Sequence, residues 1–156
     1  MYEVHVTATI AAPRHQVFEA VSDHERFLRG PELSCHLTRE GTNHRNGLGA
    51  LREVAMEGRV ITEEITAWDP PRRFEYMIRR FIDRNGKPAP FRHEGGWLDF
   101  SQSGESTRID WHSRFAIPIP IVGWFVERFL GPRVAGSFQQ LLEQAKKNLE
   151  HQPATS

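Results

Sequence analysis

Cysteine is nearly absent from this sequence, since Cys35 is the single example among 156 residues. One cysteine can form neither an internal disulfide nor a Cys-based zinc finger. Net charge is absent too, because 20 acidic residues balance 20 basic ones when histidine is counted as neutral. A chain without a net basic face is a poor match for phosphate backbones. These absences exclude a disulfide scaffold, argue against nucleic acid as the main partner, and make the reducing cytoplasm the expected location.

Long apolar segments are missing as well. The most apolar stretch, 115–126, is too short to cross a bilayer, and residues 1–5 lack the basic flank and apolar core of a signal peptide. We therefore expect no stable membrane insertion. A hydrophobic content of 38% fits a globular protein, and the length fits one domain. We predict a single domain over residues 1–151 and a flexible polar tail over 152–156.

The first thirty residues predict one strand followed by two short helices. Apolar and polar residues alternate over 2–11, which is typical of a half-buried strand. Pro13 then favours a helix start. Ser22-Asp23 can cap a second short helix that runs towards Phe27-Leu28, and Gly30-Pro31 ends it.

The rest of the chain predicts several strands and one long helix. Strands bounded by turn residues are expected over about 34–39, 50–56, 59–68, 74–78, 91–102 and 107–116. Apolar residues near helical spacing predict a C-terminal helix over 121–150, which Gly131-Pro132 should kink or break. This order predicts an α+β fold in which the long helix covers a curved antiparallel sheet.

Several short motifs occur in a fixed order along nearly the whole chain. They are Ile10-Ala11-Ala12-Pro13, Val17-Phe18, Val21-Ser22-Asp23, Gly47-Leu48-Gly49 before Arg52, Glu63-Glu64-Ile65, Trp68-Asp69-Pro70-Pro71-Arg72-Arg73, Tyr76 and Thr107–Trp111. With them the chain resembles the polyketide cyclase/dehydrase and lipid-transport branch of the START-like superfamily, also called SRPBCC or Bet v 1-like. The resemblance implies a helix-grip fold with a cavity between sheet and helix. It leaves the activity open, because the family includes lipid carriers, hormone binders and aromatic-ring cyclases.

The hairpins predict which side chains face this cavity. A two-residue turn at Glu57-Gly58 pairs Val54 with Ile61, which places two apolar side chains on one face. The same register sets Arg52 opposite Glu63 on that face. A turn at Pro70-Pro71 pairs Ala67 with Phe74, and the last hairpin sets Glu94 near Phe115. The inward-facing residues expected from these turns are Arg52, Val54, Ile61, Glu63, Ile65, Phe74, Tyr76, Glu94, Trp111, Ser113 and Phe115.

The polar residues on this wall have two interpretations. Arg52, Glu63 and Tyr76 could orient a ligand or take part in catalysis, or they could be a structural ion pair with a hydroxyl partner. An arginine opposite Glu63 favours the ionised carboxylate, which suits ligand anchoring better than general acid catalysis. We expect Tyr76 to be able to donate its hydroxyl to Glu63. The candidates for catalysis are Glu63, Glu94 and Tyr76.

The eight histidines show neither HxH nor HExxH spacing, so we expect no metal site, and we expect no cofactor. His5 and His112 fall on outward strand positions, and the register places no histidine on the cavity wall. His93 beside Glu94 is a further, weak acid/base pair. Gly47-Leu48-Gly49 lacks the strand-loop-helix context of a phosphate loop and is interpreted as a turn.

The C-terminal helix is expected to close the cavity with Phe125, Phe129 and Phe138. In this interpretation the apolar segment 115–126 forms a lid over the cavity and the buried start of the helix. In a second interpretation, Trp124 and Phe125 form a patch that touches a membrane or a second copy of the chain. A homodimer would cover segment 117–126.

These observations predict reversible binding of a hydrophobic or amphipathic small molecule in the sheet-helix cavity. The ligand-binding residues expected are Arg52, Val54, Ile61, Glu63, Ile65, Tyr76, Trp111, Ser113, Phe115, Phe125, Phe129 and Phe138. The alternative is an enzyme of the cyclase or dehydratase type that uses general acid/base residues in the same cavity. A third class is a module regulated by a partner, with the ligand as signal.

Overall fold

Seven antiparallel strands form the sheet in the computed structural model, which describes residues 1–151. The predicted flexible tail, 152–156, lies outside the described residues. The elements are β1 (Tyr2–Ile10), α1 (Arg14–Ser22), α2 (His24–Phe27), β2 (Leu33–Arg39), β3 (Leu51–Met56), β4 (Arg59–Asp69), β5 (Arg73–Ile82), β6 (Arg92–Ser103), β7 (Ser106–Ala116) and α3 (Val122–Glu150).

The strands lie in the order β1-β7-β6-β5-β4-β3-β2, so consecutive strands from β2 to β7 pair with each other and β1 joins at the β7 edge. Helix α3 packs along β1 and against β7. Helices α1 and α2 lie between β1 and β2 in the chain and pack against β2, β6 and β7. This is the helix-grip architecture of START-like and Bet v 1-like domains, as the sequence predicts. None of the helices within residues 1–151 is both long and apolar enough to span a bilayer.

The predicted register of the β3–β4 hairpin is confirmed. Val54 pairs with Ile61, and Arg52 pairs with Glu63. Both pairs lie on the buried concave face, since all four residues are at least nine-tenths buried. The alternation of apolar residues on both strands fixes this register, because a shift by one position would expose the whole apolar set.

Register shifts occur at four places elsewhere in the sheet, and two of them change pairs that the sequence predicts. A bulge between Ile65 and Ala67 pairs Phe74 with Trp68, so the predicted Ala67–Phe74 pair is wrong. A second bulge, between His93 and Gly95, pairs Phe115 with His93 and leaves Glu94 outside the register. A bulge adds one residue to one strand and thereby reverses the faces of the residues beyond it.

Helix α3 runs without interruption from Val122 to Glu150 and includes Pro132. The predicted break at Gly131-Pro132 is therefore wrong. Proline removes only the hydrogen bond that its own nitrogen would donate to the carbonyl of Arg128. Arg128 and Pro132 both lie on the exposed side of the helix, where water can bind the free carbonyl. Gly131 is buried against the ring of Tyr2, which holds this turn on β1.

Candidate functional site

The concave face of the sheet carries a buried ion pair. Arg52 is 3% exposed and Glu63 is 7% exposed, and Arg52 Nε donates to Glu63 Oε2 over 2.5 Å. Burying either charge alone would cost several kcal/mol, so each needs the other. Strands β3 and β4 place the two residues directly opposite each other, as the sequence predicts.

His24 from α2 is the third member of this charged group. Its ring is completely buried, Nε2 donates to the backbone carbonyl of Asn46 over 3.0 Å, and Nδ1 accepts from Arg52 Nη1 over 2.7 Å. Burial, together with the charge of Arg52, holds the pKa of His24 well below its usual range. The imidazole is therefore neutral, and it fixes the orientation of the guanidinium.

A second polar group, which is uncharged, lies beside the first. Trp111 Nε1 donates to the hydroxyl of Tyr76 over 3.0 Å. His93 Nδ1 accepts from the backbone N–H of Ile78 over 3.0 Å, so its Nε2 carries the proton and donates to Ser113 Oγ, also over 3.0 Å. All four side chains of this group lie on β5, β6 and β7.

Tyr76 connects the two groups. The Arg52 guanidinium lies over its ring at 5.0 Å, which is a favourable cation–π distance. The expected hydrogen bond from Tyr76 to Glu63 is not formed, and the hydroxyl instead accepts from Trp111 Nε1. Burial and the nearby Glu63 charge raise the pKa of Tyr76 above its usual range, so the hydroxyl stays protonated. A Cβ at Gly96 would lie 2.2 Å from Tyr76 Cζ, so only glycine lets the ring lie across β6.

The charged pair keeps two polar atoms free. Arg52 Nη2 and Glu63 Oε1 make no hydrogen bond to the described residues, so the pair retains one unused donor and one unused acceptor. Asn46, whose backbone carbonyl accepts from His24, carries the one fully buried side-chain oxygen or nitrogen within residues 1–151 that has no hydrogen-bond partner, its Oδ1.

Apolar residues surround these polar groups. Val54, Ile61, Ile65 and Phe115 are buried on the same face, as predicted. Phe138 from α3 is half-buried, and its ring stacks on Trp111 with centroids 3.8 Å apart. An apolar wall with a few convergent polar groups is typical of a small-molecule site.

Three of the expected site residues do not face this wall. Phe125 and Phe129 are 63% and 62% exposed, so the expectation that they close the interior is wrong. They lie on the side of α3 that faces away from β1. Glu94 is also exposed and pairs with Arg92 over 2.5 Å, because the bulge after His93 turns it to the outer face.

The sequence interpretation missed both buried histidines. His93 takes the inward position that was assigned to Glu94, and the adjacent glycines at 95 and 96 are the signal for the bulge, since Gly95 has a φ of 139°. His24 follows Val17 and Val21 at helical spacing, so it continues the buried stripe of α1 into α2.

The enclosed cavity expected from the sequence stays a prediction. One surface pocket lies at the β6–β7 hairpin end, beside Arg14 and Arg72. Another, of about 390 Å³, lies between 30–34 and 55–58 at the β2 edge. Neither contains a residue of the two polar groups. Among residues 1–151, no three His, Cys, Asp or Glu side chains are arranged to hold a metal ion.

The sequence profile of the family described as polyketide cyclase / dehydrase and lipid transport matches residues 1–150. The chain belongs to this family. No curated protein matches the chain closely enough to assign a ligand or activity. Membership in the family fits the helix-grip fold and a binding site for a hydrophobic ligand.

Solved structures with this fold include a START superfamily protein from Mycobacterium smegmatis. It is 17% identical, with a TM-score of 0.70 over 96% of this chain and 98% of that one. TTHA0849 from Thermus thermophilus is 19% identical, with a TM-score of 0.69 over 95% and 97%. Ara h 8.0201 is 15% identical, with a TM-score of 0.68 over 95% and 97%. At these identities the likeness concerns the fold alone.

Proposed function

We propose that this protein binds a hydrophobic or amphipathic small molecule reversibly against the concave face of its sheet. The observation that carries the proposal is the buried Arg52–Glu63 pair with its two free polar atoms on an apolar wall. A polar head with an acceptor and a donor, such as a hydroxyl beside a carbonyl, would satisfy Arg52 Nη2 and Glu63 Oε1 together. The apolar body of the ligand would lie on Trp111 and its neighbours.

The ring of Phe138 occupies the space in front of Trp111, so ligand entry requires Phe138 to move. Phe138 is only half-buried, and α3 packs mainly along β1. A rotation of this side chain would open the aromatic wall without unfolding the helix. The ligand then replaces one stacking partner by another.

The contacts of His93 favour binding over the cyclase or dehydratase alternative. Both ring nitrogens are already engaged, with Ile78 N and Ser113 Oγ. Burial lowers the pKa of His93 to about 4, which makes it a weak base at neutral pH. Glu63 Oε2 already accepts a hydrogen bond from Arg52 Nε, so this oxygen is not free to exchange a proton with a substrate. We also propose the reducing cytoplasm as the location, since Cys35 is an unpaired thiol.

The experiment has two readouts on the purified full chain. Native mass spectrometry looks for a small molecule that co-purifies, and titration with 1-anilinonaphthalene-8-sulfonate measures binding of an amphipathic aromatic probe. We expect the double variant Arg52→Met with Glu63→Leu to fold and to bind the probe at least about tenfold more weakly, since it loses both polar contacts.

The matched control is Arg114→Met with Glu3→Leu. This pair has the same residue types on neighbouring strands, with Arg114 Nε 2.8 Å from Glu3 Oε2, but it lies on the exposed outer face. It should bind the probe like the wild type. Equal binding by all three proteins, or no binding at all, would contradict the proposal.

A further inference from the structure

The start of α3 and the loop before it expose an unusual amount of apolar surface. The exposed residues, here called the apolar ridge, are Ile119, Ile121, Val122, Trp124, Phe125 and Phe129. Exposed apolar side chains are ordinary when they are single, but a contiguous group marks an interaction surface. Trp124 and Phe125 are in edge-to-face contact, with ring centroids 4.9 Å apart, so they form one continuous patch.

The backbone at the tip of the ridge is strained. Ile121 has φ 64° and ψ −58°, and Val122 N donates to Pro120 O over 2.7 Å, which closes a tight three-residue turn. This conformation is rare and costly for a β-branched residue. The turn leaves the Ile121 side chain 80% exposed. No residue within 1–151 covers this isoleucine, so the strained turn points to a partner outside the described residues.

The exposed charged side chains in the segment that carries the ridge are all positive. Between Ala116 and Arg133 the charged residues are Glu127, Arg128 and Arg133. Glu127 is buried and neutralised, because it accepts from Ile117 N over 2.8 Å and pairs with the Met1 amino group over 3.0 Å. The guanidinium groups of Arg128 and Arg133 each lie 4.4 Å from a ridge ring, over Trp124 and Phe129. The ridge therefore offers apolar rings and positive charge together.

We propose that the apolar ridge docks this protein onto an anionic lipid bilayer. The rings would enter the boundary between headgroups and acyl chains, while Arg128 and Arg133 contact acidic headgroups. The same charges disfavour a second copy of the chain as the occupant. A two-fold interface would bury four like charges, two from each copy, within one apolar patch.

Docking would also bring the candidate ligand site close to the membrane. Phe138 is nine residues beyond Phe129 on the same helix, a distance of about 14 Å along the axis. A ligand taken from the bilayer would then have a short path to the aromatic wall. The docking surface does not depend on this link, because it shares no residue with the Arg52–Glu63 site.

The test is flotation of the purified full chain with two kinds of vesicle. One kind contains phosphatidylcholine alone, and the other contains phosphatidylcholine with phosphatidylglycerol. We expect the protein to float with the anionic vesicles and to bind the neutral ones more weakly. High salt should weaken the anionic binding, because it shortens the range of the attraction.

Two double variants separate the contributions. Each basic residue near an anionic surface contributes about fivefold in affinity, so Arg128→Ala with Arg133→Ala should weaken binding to anionic vesicles by about 30-fold. Phe125→Ala with Phe129→Ala should weaken binding to both kinds of vesicle, by about tenfold or more on the anionic kind. The matched controls are Arg29→Ala with Arg80→Ala, which removes two exposed arginines elsewhere, and Leu48→Ala, which removes an exposed leucine. Both controls should float like the wild type.

Equal flotation by wild type and both ridge variants would overturn the proposal. So would equal affinity for neutral and anionic vesicles. A wild-type dimer in sedimentation that the phenylalanine variant dissociates would identify the ridge as a contact between copies instead. The proposed ligand site has its own readout, since the ridge variants should still bind 1-anilinonaphthalene-8-sulfonate while the Arg52→Met, Glu63→Leu variant should still float.

Discussion

The concave wall of the sheet and the apolar ridge are opposite exceptions to one rule. Folded proteins bury apolar side chains and leave charged ones in water. The wall buries an arginine, a glutamate and two histidines, whereas the ridge holds isoleucine, tryptophan and phenylalanine in water. We propose a function at each of these places. Residue type therefore does not decide burial in either region.

The two regions differ in whether contacts within the protein offset the unfavourable free energy of these placements. On the wall, hydrogen bonds compensate the burial of charge, because each buried polar side chain has at least one hydrogen-bond partner. On the ridge, nothing within residues 1–151 covers the apolar surface. Changes on the wall should therefore act on stability, and changes on the ridge should act on binding while the fold is unaffected.

The largest effect should follow from removing one charge of the wall. Glu63→Leu leaves the Arg52 guanidinium buried without its carboxylate, and we expect a loss of about 3–5 kcal/mol in the free energy of unfolding. The double variant, Glu63→Leu with Arg52→Met, should lose less stability than the two single variants lose in sum, because the residues are coupled. Urea denaturation of the three variants gives these values.

The comparison for this change is Glu3→Leu on the outer face, where the partner Arg114 is half exposed. An exposed ion pair contributes about 0–1 kcal/mol. If Glu3→Leu were as costly as Glu63→Leu, burial would not be the cause, and the contrast between the two faces would be lost.

The β3–β4 hairpin explains why the ion pair could be predicted at all. Strand alternation has a period of two, and Val54 opposite Ile61 leaves only one register that buries an apolar face. Arg52 and Glu63 then follow without further information. The same reasoning failed at Glu94, because a bulge reverses the faces and the pattern of alternation does not count the extra residue.

The start of α3 shows a second limit. Residues 121–130 contain only two charged residues, Glu127 and Arg128, and of these Glu127 is buried while Arg128 is exposed, so polarity does not mark the face that meets solvent. Periodicity could identify a helix there but could not tell which rings would find a partner in the sheet. That depends on where β1 begins beneath the helix, since Gly131 already lies against Tyr2, and this position is a property of the whole fold. The wall histidine His24 lay within reach of the sequence, while the exposure of Phe125 and Phe129 did not.

A second effect should appear when the pH falls. His93 has a pKa of about 4 in the folded protein against 6.5 when unperturbed, so the unfolded chain takes up its proton first. The contribution of neutral His93 to the free energy of unfolding is complete above pH 6.5. It is lost as the pH falls from 6.5 towards 4, by about 1.4 kcal/mol per pH unit and about 3 kcal/mol in all. His24 should add to the loss, because its pKa is lowered in the same direction.

Urea denaturation at a series of pH values measures this dependence. His93→Asn should flatten the slope over that window, whereas His15→Asn, at an exposed position, should leave the wild-type slope unchanged. A wild-type slope in the His93 variant would mean that the wall histidine is already charged in the folded state.

The smallest effect on stability should come from the ridge. Phe129→Ala removes a ring that is 62% exposed, and we expect a change within about 0.5 kcal/mol. Phe138→Ala makes the same chemical change on the same helix but removes a half-buried ring stacked on Trp111, which should cost about 2 kcal/mol, because the ring loses its stacking contact and part of its apolar burial. Thermal and urea unfolding of the two variants compare the two halves of α3 directly. Similar losses in both would mean that the ridge packs against the protein in solution, and a surface that is already covered has no free face to offer a bilayer.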